Sequence, residues 1–248
     1  MAKTKKPIRN VAIIHFNTPE LTEAAILSIR KHGGEDYKVT VFDNSDKRPF
    51  KKKMKNVMVI DNTKGKIIDF EEFLMQFPQR LPKIGCAAGC NFGSAKHTRT
   101  VQELWGIIPE GFVLMESDVL LKASIDHMFM PDKAVVGYKV DRQFCNPFHI
   151  GRMLPFLCYM NVPILVSAGA RYFDPERTYG LLGEYWNKNN WYDTGAVLLE
   201  DVLMMKPTLT GRHIDIRELM VHYESGSWRR GDLDKQLEWL EQYKDLWK

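Results

Sequence analysis

The sequence has few cysteines and no uninterrupted apolar run long enough to suggest a membrane segment. Its 248 residues include four cysteines, which are Cys86, Cys90, Cys145 and Cys158. Cys86 and Cys90 form one close pair, but neither a second cysteine pair nor a histidine pair stands at zinc-finger spacing. The sequence therefore does not predict a zinc site, and we expect reduced structural thiols. The longest apolar stretch, 153–170, is interrupted by Pro155, Asn161 and Pro163, which favours buried or interfacial structure over a membrane span.

Net charge is also small, because 35 Lys and Arg against 31 Asp and Glu leave only +4. The positive charges concentrate in two basic runs, 1–9 and 47–55. Such runs most often form solvated surface. The more specific interpretation is that they contact an anionic membrane or a phosphate-bearing substrate. No long apolar segment follows the N-terminal charges, so we expect a cytoplasmic protein, peripheral at most at the inner membrane face. No nucleic-acid partner is predicted.

A glycine-rich phosphate loop is missing as well. The apolar run Val11–Phe16 predicts a buried strand, but it continues into HFNTPE, which contains no glycine. The absence of G-x-G-x-x-G at this point argues against dinucleotide oxidoreductases. Sugar nucleotidyltransferases normally carry a glycine-rich, Arg-containing loop here, so they are disfavoured on the same ground.

What the sequence does contain is an alternation of strand and helix patterns. Thr18 suits an N-cap, Pro19 suits the first helical position, and Gly33 with Gly34 ends this first helix. Further strands are predicted at Tyr37–Phe42, Val57–Ile60, Phe112–Met115 and Val135–Val140. Further helices are predicted from near Ser94 to Trp105 and at 233–247. This rhythm predicts an α/β fold with a mostly parallel central sheet flanked by helices.

Polar residues stand where the predicted strands end. Asn17 closes the first strand, and Asp43 and Asn44 close the second. In open α/β sheets, ligands bind in the crevice beyond the carboxyl ends of the strands, so these residues are candidate ligand contacts. Asp43 and Asn44 are equally compatible with an Asx turn.

The segment GFVLMESDVLLK (111–122) places two carboxylates in an otherwise apolar stretch. In an extended chain, Glu116 and Asp118 point to the same side. At about 6 Å and an effective dielectric of about 20, they repel each other by about 3 kcal/mol. A shared proton, an Arg or Lys, or a bound cation would offset this repulsion. A structural alternative is that they cap a helix beginning near Ser124.

Four segments in order, VAIIHFNTPE, VFDNSD, NFGSAKH and FVLMESD, make the first half of the chain resemble family 2 type glycosyltransferases, whose fold is called GT-A. The resemblance implies a divalent cation, Mn²⁺ or Mg²⁺, held by Asp118 and Glu116. Lys96 and His97 replace the family's Arg-Asn pair, and Glu-Ser-Asp replaces its Asp-x-Asp motif. The nucleotide-sugar-binding residues that it implies are Asn17, Asp43, Asn44, Asn91, Gly93, Lys96, His97, Glu116 and Ser117.

Two later segments extend this hypothesis. WYDTGAVL places Asp193 close to Gly195, at the chain position of acceptor-side residues, where a carboxylate takes the proton of an acceptor hydroxyl. VHYESGSW places His222 where related enzymes supply a histidine to the metal or the diphosphate. The alternatives are a turn-forming Asp193 and a His222 that is only a packed side chain.

The predicted organisation is one domain over 1–248, with a nucleotide-sugar-binding half at 8–122 and an acceptor half at 123–248 that ends in a C-terminal helix. The resemblance implies a metal-dependent, inverting glycosyltransferase of polysaccharide biosynthesis. Its donor would be a UDP- or GDP-linked sugar, and its acceptor a carbohydrate or a lipid-linked carbohydrate. The alternatives are a GT-A-like binding or scaffold protein with a degenerate site and, less favoured, a sugar nucleotidyltransferase.

Overall fold

The structure is a computed structural model that describes residues 9–65, 67, 85–140, 151–179, 192–205, 212–223 and 232–248. The strands of this part are β1 (Arg9–His15), β2 (Tyr37–Asp43), β3 (Val57–Asp61), β4 (Phe112–Glu116), β5 (Val119–Leu121), β6 (Val135–Val140), β7 (Arg152–Met160), β8 (Arg212–His213) and β9 (Met220–His222). The helices are α1 (Pro19–Gly33), α2 (Gly85–Ile107), α3 (Val162–Ser167), α4 (Pro175–Tyr179), α5 (Ala196–Leu203) and α6 (Leu233–Gln242). Short 3₁₀ turns occur at Asp126–Met128, Ile216–Glu218 and Lys244–Leu246.

The described strands form one large sheet in the order β3-β2-β1-β4-β7-β6-β8, and β5 pairs separately with β9. Neighbours are parallel at β3–β2, β2–β1, β1–β4 and β6–β8, and antiparallel where β7 meets β4 and β6. The predicted α/β class with a mostly parallel sheet is therefore confirmed. The long strand β7 was not predicted, because Pro155 interrupts its pattern; the register of β6 against β7 is irregular in this region.

The large sheet is covered on both faces. On one face, Ile26 and Ile29 of α1 pack against the strands. On the other face, Val101 and Leu104 of α2 join Leu198 of α5. Apolar residues alternate between the two faces along the central strands, so the sheet is buried on both sides, as parallel sheets generally are.

The predicted beginning of α1 is confirmed at Pro19, whose missing N–H costs nothing in the first turn. The Thr18 carbonyl oxygen accepts the first helical bond from the Thr22 N–H at 3.0 Å. The Thr18 side chain makes no capping bond, because its hydroxyl lies 3.3 Å from that of Ser117. The backbone of Thr18 thus starts the helix, while its side chain joins α1 to the end of β4.

The helix α2 begins at Gly85, well before the predicted start near Ser94. Asn91 and Gly93 therefore lie within the helix, and the predicted start near Ser94 was wrong. Asn-x-Gly favours turns locally, but tertiary context overrides such a preference. Of Asn91 and Gly93 only this helical backbone is described, so their predicted ligand contacts lie outside the described side chains.

The small β5–β9 sheet is supported by the C-terminal segment. Leu240 of α6 packs against Leu21 of α1 and Leu120 of β5. The Asp232 side chain caps α6 by accepting a bond from the Lys235 N–H at 3.2 Å. The predicted single helix over 233–247 is instead α6 followed by a separate 3₁₀ turn. Among the described residues, no helix combines the length and apolar character that crossing a bilayer requires.

Candidate active site

Parallel strand pairing brings several of the predicted site residues to one edge of the sheet. Ile14 of β1 lies opposite both Phe42 of β2 and Glu116 of β4. The residues that follow these positions therefore leave the sheet on the same side, which we call the carboxyl edge. Asp43 and Glu116 both belong to it, as expected for strands that end together.

Among the residues that the structure describes, the carboxyl edge holds one cluster of metal-ligand type, formed by Glu116, Asp118 and His222. One donor atom from each of these residues lies within 4.8 Å of the other two. The His222 Nε2 atom is 3.4 Å from Asp118 Oδ1. The three residues predicted as metal ligands are therefore brought together, although no prediction was made of how this would happen.

The pairing of β5 with β9 assembles this cluster. Val119 lies opposite His222, and the Tyr223 N–H donates to the Asp118 carbonyl oxygen at 2.9 Å. The ring of Phe156 stacks on the imidazole of His222, with centroids 4.0 Å apart and an interplanar angle of 29°. Backbone pairing sets the position of the imidazole, and the phenyl ring restricts its orientation.

The two carboxylates of the cluster are in an electrostatically unfavourable setting. Asp118 is 3% exposed, and its Oδ1 atom has no hydrogen-bond partner within the described part of the chain. Burial and, next, the negative charge of Asp118 raise the pKa of Glu116 to about 8. Two carboxylate oxygens and one imidazole nitrogen at this spacing fit a divalent cation, which would supply the missing positive charge. Neither carboxylate caps the 3₁₀ turn after Ser124, so that structural alternative was wrong.

His97 projects from α2 towards the same cluster. Its Nε2 atom is 3.6 Å from Glu116 Oε1, too far for a hydrogen bond. Neither ring nitrogen has a hydrogen-bond partner among the described residues. Burial lowers the pKa of His97 to about 4, so the ring is neutral at pH 7. A buried neutral imidazole with two unused nitrogens beside an acidic pair is a candidate ligand contact.

Asp193, the predicted base, forms an ion pair with Arg152 at the beginning of β7. Its Oδ1 atom also accepts a bond from the Thr194 N–H at 2.8 Å. The charges of this pair reach the cluster, because Asp193 raises and Arg152 lowers the pKa values of both His97 and Glu116. Sequence reasoning missed Arg152. A single arginine ahead of an apolar stretch gave no signal beyond its charge.

The turn that carries Asp193 requires the glycine that follows it. Gly195 has φ +82°, and a Cβ atom at this position would lie 2.0 Å from the Met153 carbonyl oxygen. The Met153 N–H in turn donates to the Gly195 carbonyl oxygen at 3.2 Å. The backbone of the turn is thereby fixed against the beginning of β7, which also carries Arg152.

The predicted nucleotide contacts at β1 and β2 are used to build the loop after β2. Asn17 Oδ1 accepts the N–H groups of Lys47 and Arg48, each at 2.9 Å. Asp43 accepts the Ser45 N–H at 2.9 Å, which is an Asx turn, and the Phe50 N–H at 2.7 Å. These side chains therefore shape the carboxyl edge, and their contact with a nucleotide stays a prediction.

Asn44 is similarly engaged, since its side chain bonds Thr100 at 2.9 Å and Asn62 at 2.7 Å. The Lys96 Nζ atom donates to the Asn44 carbonyl oxygen at 3.4 Å, which places this amine close to the end of β2. Burial lowers the pKa of Lys96. The Ser117 hydroxyl lies 3.3 Å from that of Thr18.

No protein-family model and no curated protein matches the chain. Similar solved structures include the glycosyltransferase GlyE of Streptococcus pneumoniae TIGR4, with 11% identity over 95% of this chain and 60% of that chain, at a TM-score of 0.45. The galactosyltransferase LgtC, solved with donor and acceptor sugar analogues, is 12% identical, and the match covers 82% of this chain and 72% of that chain at a TM-score of 0.46. The mannosyltransferase Ktr4p of S. cerevisiae, solved with GDP, is 10% identical, and the match covers 88% of this chain and 71% of that chain at a TM-score of 0.48. This chain thus spans less than two thirds of the length of GlyE.

Proposed function

We propose that this protein is a metal-dependent glycosyltransferase that moves a sugar from a nucleotide-diphosphate sugar to an acceptor hydroxyl. The observation that carries the proposal is the Glu116–Asp118–His222 cluster at the carboxyl edge of the sheet. The edge is where open α/β sheets bind their ligands. The GT-A and family 2 resemblance noted in the sequence supports the same function.

Charge supports a divalent cation at this cluster. Glu116, Asp118 and Asp193 provide three carboxylates, and Arg152 is the guanidinium paired with one of them. When all are ionised and the histidines are neutral, these four groups carry a net charge of 1 − 3 = −2, which one divalent cation neutralises. Carboxylate oxygens suit both Mg²⁺ and Mn²⁺, and the imidazole nitrogen favours Mn²⁺. When bound, the cation would neutralise negative charge on the leaving diphosphate.

The chain's own residues divide the work of donor binding. The Asn17–Asp43–Asn44 region builds the loop that we assign to the base and ribose of a UDP- or GDP-linked donor. Lys96 and His97 on α2 are assigned to the phosphates. Asn91, Gly93 and Ser117 complete the predicted donor contacts.

The reaction proposed here is a displacement at the anomeric carbon. The bond between that carbon and the diphosphate oxygen breaks, and the diphosphate leaves with the electron pair. The acceptor oxygen forms the new bond, and its proton passes to the Asp193 carboxylate. Attack from the side opposite the leaving group inverts the anomeric centre. The acceptor is a carbohydrate, free or lipid-linked, as in polysaccharide biosynthesis.

The proposal is tested by isothermal titration of UDP and GDP with Mn²⁺ and with EDTA, combined with assays of sugar-nucleotide hydrolysis. We expect one of the two diphosphates to bind in the presence of metal only, and the matching sugar nucleotides to be hydrolysed slowly without an acceptor. If neither diphosphate binds and no sugar nucleotide is hydrolysed, the scaffold alternative holds. Formation of a sugar nucleotide from a sugar phosphate and a nucleoside triphosphate would instead indicate a nucleotidyltransferase.

Contact with an anionic membrane is a separate part of the proposal. It is supported by exposed lysines in the loop before β3, which are Lys47, Lys51, Lys52, Lys53 and Lys55. Juxtaposed lysines attract anionic lipid at about 1 kcal/mol each. Co-sedimentation with phosphatidylserine vesicles that disappears at high salt would support this contact, and equal binding to neutral vesicles would contradict it.

A further inference from the structure

We infer that Arg152 binds the diphosphate of the donor, and that Asp193 is its counter-ion only while no donor is present. This inference rests on the proposed function and deepens it. It assigns the leaving-group contact to a residue outside the segments that carry the family resemblance. It also explains why the predicted base is found in an ion pair.

The position of the pair is set by the backbone, which suits a ligand contact. Arg152 precedes Met153, whose N–H is bonded to the Gly195 carbonyl oxygen at 3.2 Å. Asp193 lies in the same turn as Gly195. The two side chains thus project from a fixed strand–turn junction, and both remain about one quarter exposed, at 25% for Arg152 and 24% for Asp193. A ligand entering from solvent can reach them.

Arg177, which is buried, provides a comparison with an arginine that has a purely structural role in this protein. Arg177 is 10% exposed and contacts three carboxylates, those of Asp174, Glu200 and Asp201. Within the described residues, Arg152 forms an ion pair with one carboxylate only, that of Asp193. A guanidinium offers five N–H donors, and its geometry matches two phosphate oxygens. Arg152 therefore keeps donors that a diphosphate can use.

The beginning of β7, which carries Arg152, lies on the same side of the sheet as the cluster that we assign to the metal. Leu157 of β7 is paired antiparallel with Met115 of β4, so the residues before Leu157 run towards the carboxyl edge, where Phe156 stacks on His222. The His97 Nε2 atom is 3.6 Å from Glu116 Oε1, so His97 lies beside the same cluster. A diphosphate held at the Glu116–Asp118–His222 cluster would carry its negative charge towards Arg152. Arginine binds phosphate oxygens in two-point contacts that are stronger than neutral hydrogen bonds.

The consequence is an exchange of partners. When the diphosphate takes the guanidinium, the Asp193 carboxylate is no longer paired with Arg152, and its Oδ2 atom can accept the acceptor proton. Donor binding would therefore prepare the base, and the acceptor would react only after the donor has bound. Asp193 competes with the diphosphate for Arg152 in this scheme, which gives the two residues opposite effects on donor affinity.

The test is isothermal titration of UDP and GDP, with Mn²⁺, against wild type and the variants Arg152→Gln, Arg152→Lys and Asp193→Asn. We expect Arg152→Gln to weaken binding of the diphosphate about tenfold or more, and Arg152→Lys to restore part of it. Asp193→Asn should bind the diphosphate at least as tightly as wild type, because the competing carboxylate is gone. Affinity for uridine or guanosine should not change in any variant.

The matched control is Arg217→Gln. In the described part of the chain Arg217 also pairs with a single carboxylate, that of Asp215, but it is 76% exposed. It should leave diphosphate affinity unchanged. Thermal unfolding of each variant reports whether the fold is retained, and the Asp193→Asn result stands even if Arg152→Gln fails to fold. Unchanged diphosphate affinity in Arg152→Gln, or an equal loss in Asp193→Asn, would overturn the inference. A wild-type protein that binds neither diphosphate would overturn the proposed function itself.

Discussion

The amide of Tyr223 donates a hydrogen bond to the carbonyl oxygen of Asp118 at 2.9 Å. This bond continues the pairing of β5 with β9 and sets His222 beside the Asp118 carboxylate. The two residues are far apart in sequence, so the cluster depends on a tertiary contact and not on a local motif. Predictions about metal binding therefore concern both the carboxylates and the packing that supports the second sheet.

Replacing Asp118 should abolish metal binding without unfolding the protein. The Asp118 Oδ1 atom has no hydrogen-bond partner among the described residues, so its replacement breaks no hydrogen bond of that atom. Asparagine has nearly the same volume as aspartate, so Asp118→Asn removes the negative charge and leaves the packing intact. We expect no measurable Mn²⁺ binding at concentrations that saturate wild type, and we expect sugar-nucleotide turnover to be lost. In wild type, Mn²⁺ at about 100 times its Kd should add about 2.7 kcal/mol to the free energy of unfolding, and the variant should lose this gain.

The control for this variant is Asp61→Asn, which removes an exposed carboxylate at the end of β3, a strand separated from β4 by β2 and β1. Its Mn²⁺ affinity and turnover should equal those of wild type. Near-normal turnover by a folded Asp118→Asn protein would contradict the assignment of Asp118 as a metal ligand.

Gly195→Ala should destabilise the protein far more than Gly169→Ala. Both glycines have positive φ, +82° and +71°, so each alanine meets a backbone cost of about 1–2 kcal/mol. Only at Gly195 would the new Cβ approach a backbone oxygen, that of Met153 at 2.0 Å, whereas nothing lies within 4 Å at Gly169. We expect a loss of more than about 3 kcal/mol for the first variant in urea unfolding. Equal losses would show that the turn adjusts freely.

Leu240→Ala should destabilise the C-terminal segment, and Leu237→Ala on the same helix is its control. Leu240 packs against Leu21 and Leu120 and is 5% exposed, whereas Leu237 is 45% exposed. We expect a loss of about 2–4 kcal/mol for the buried site and less than about 1 kcal/mol for the exposed one. Chemical denaturation measures both. A similar small effect of the two changes would mean that α6 contributes little to the core.

Cys158 should resist alkylation in the folded protein. It is 1% exposed, and burial raises the pKa of its thiol to about 12, so only about one thiol in ten thousand is ionised at pH 8. Iodoacetamide labelling followed by peptide mass spectrometry should find Cys158 unmodified in native protein and modified after unfolding in guanidinium. Rapid labelling of Cys158 under native conditions would show that the centre of β7 opens readily.

Much of the fold followed from local pattern. The strand at Val135–Val140 and the beginning of α1 at Pro19 agree with the structure. The position of β7 did not follow, because Pro155 interrupts its pattern and its antiparallel place between β4 and β6 is decided by tertiary packing. The early start of α2 at Gly85 was also missed, since Asn91 and Gly93 favour a turn when read locally.

The candidate site was predictable where residues stand at strand ends. Parallel pairing alone places Asp43 and Glu116 at one edge of the sheet. The proximity of His222 to Asp118 rested on family resemblance, because no local pattern predicts the β5–β9 pairing. Arg152 was missed because its partner Asp193 is distant in sequence, and an ion pair of this kind leaves no periodic signal.

The order of strands in the large sheet has a consequence for synthesis of the chain. β1, β2, β3 and β4 all precede residue 117, so they can associate while the rest is still being translated. Among the described strands, β7 pairs with the side of β4 that faces away from β1, and β7 ends at Met160. Until that segment leaves the ribosome, the apolar residues Phe112–Met115 border an open hydrogen-bonding edge. We therefore expect nascent chains of this protein to pass through a stage at which they can pair with one another, and we expect a chaperone that shields β4 to raise the yield of folded protein.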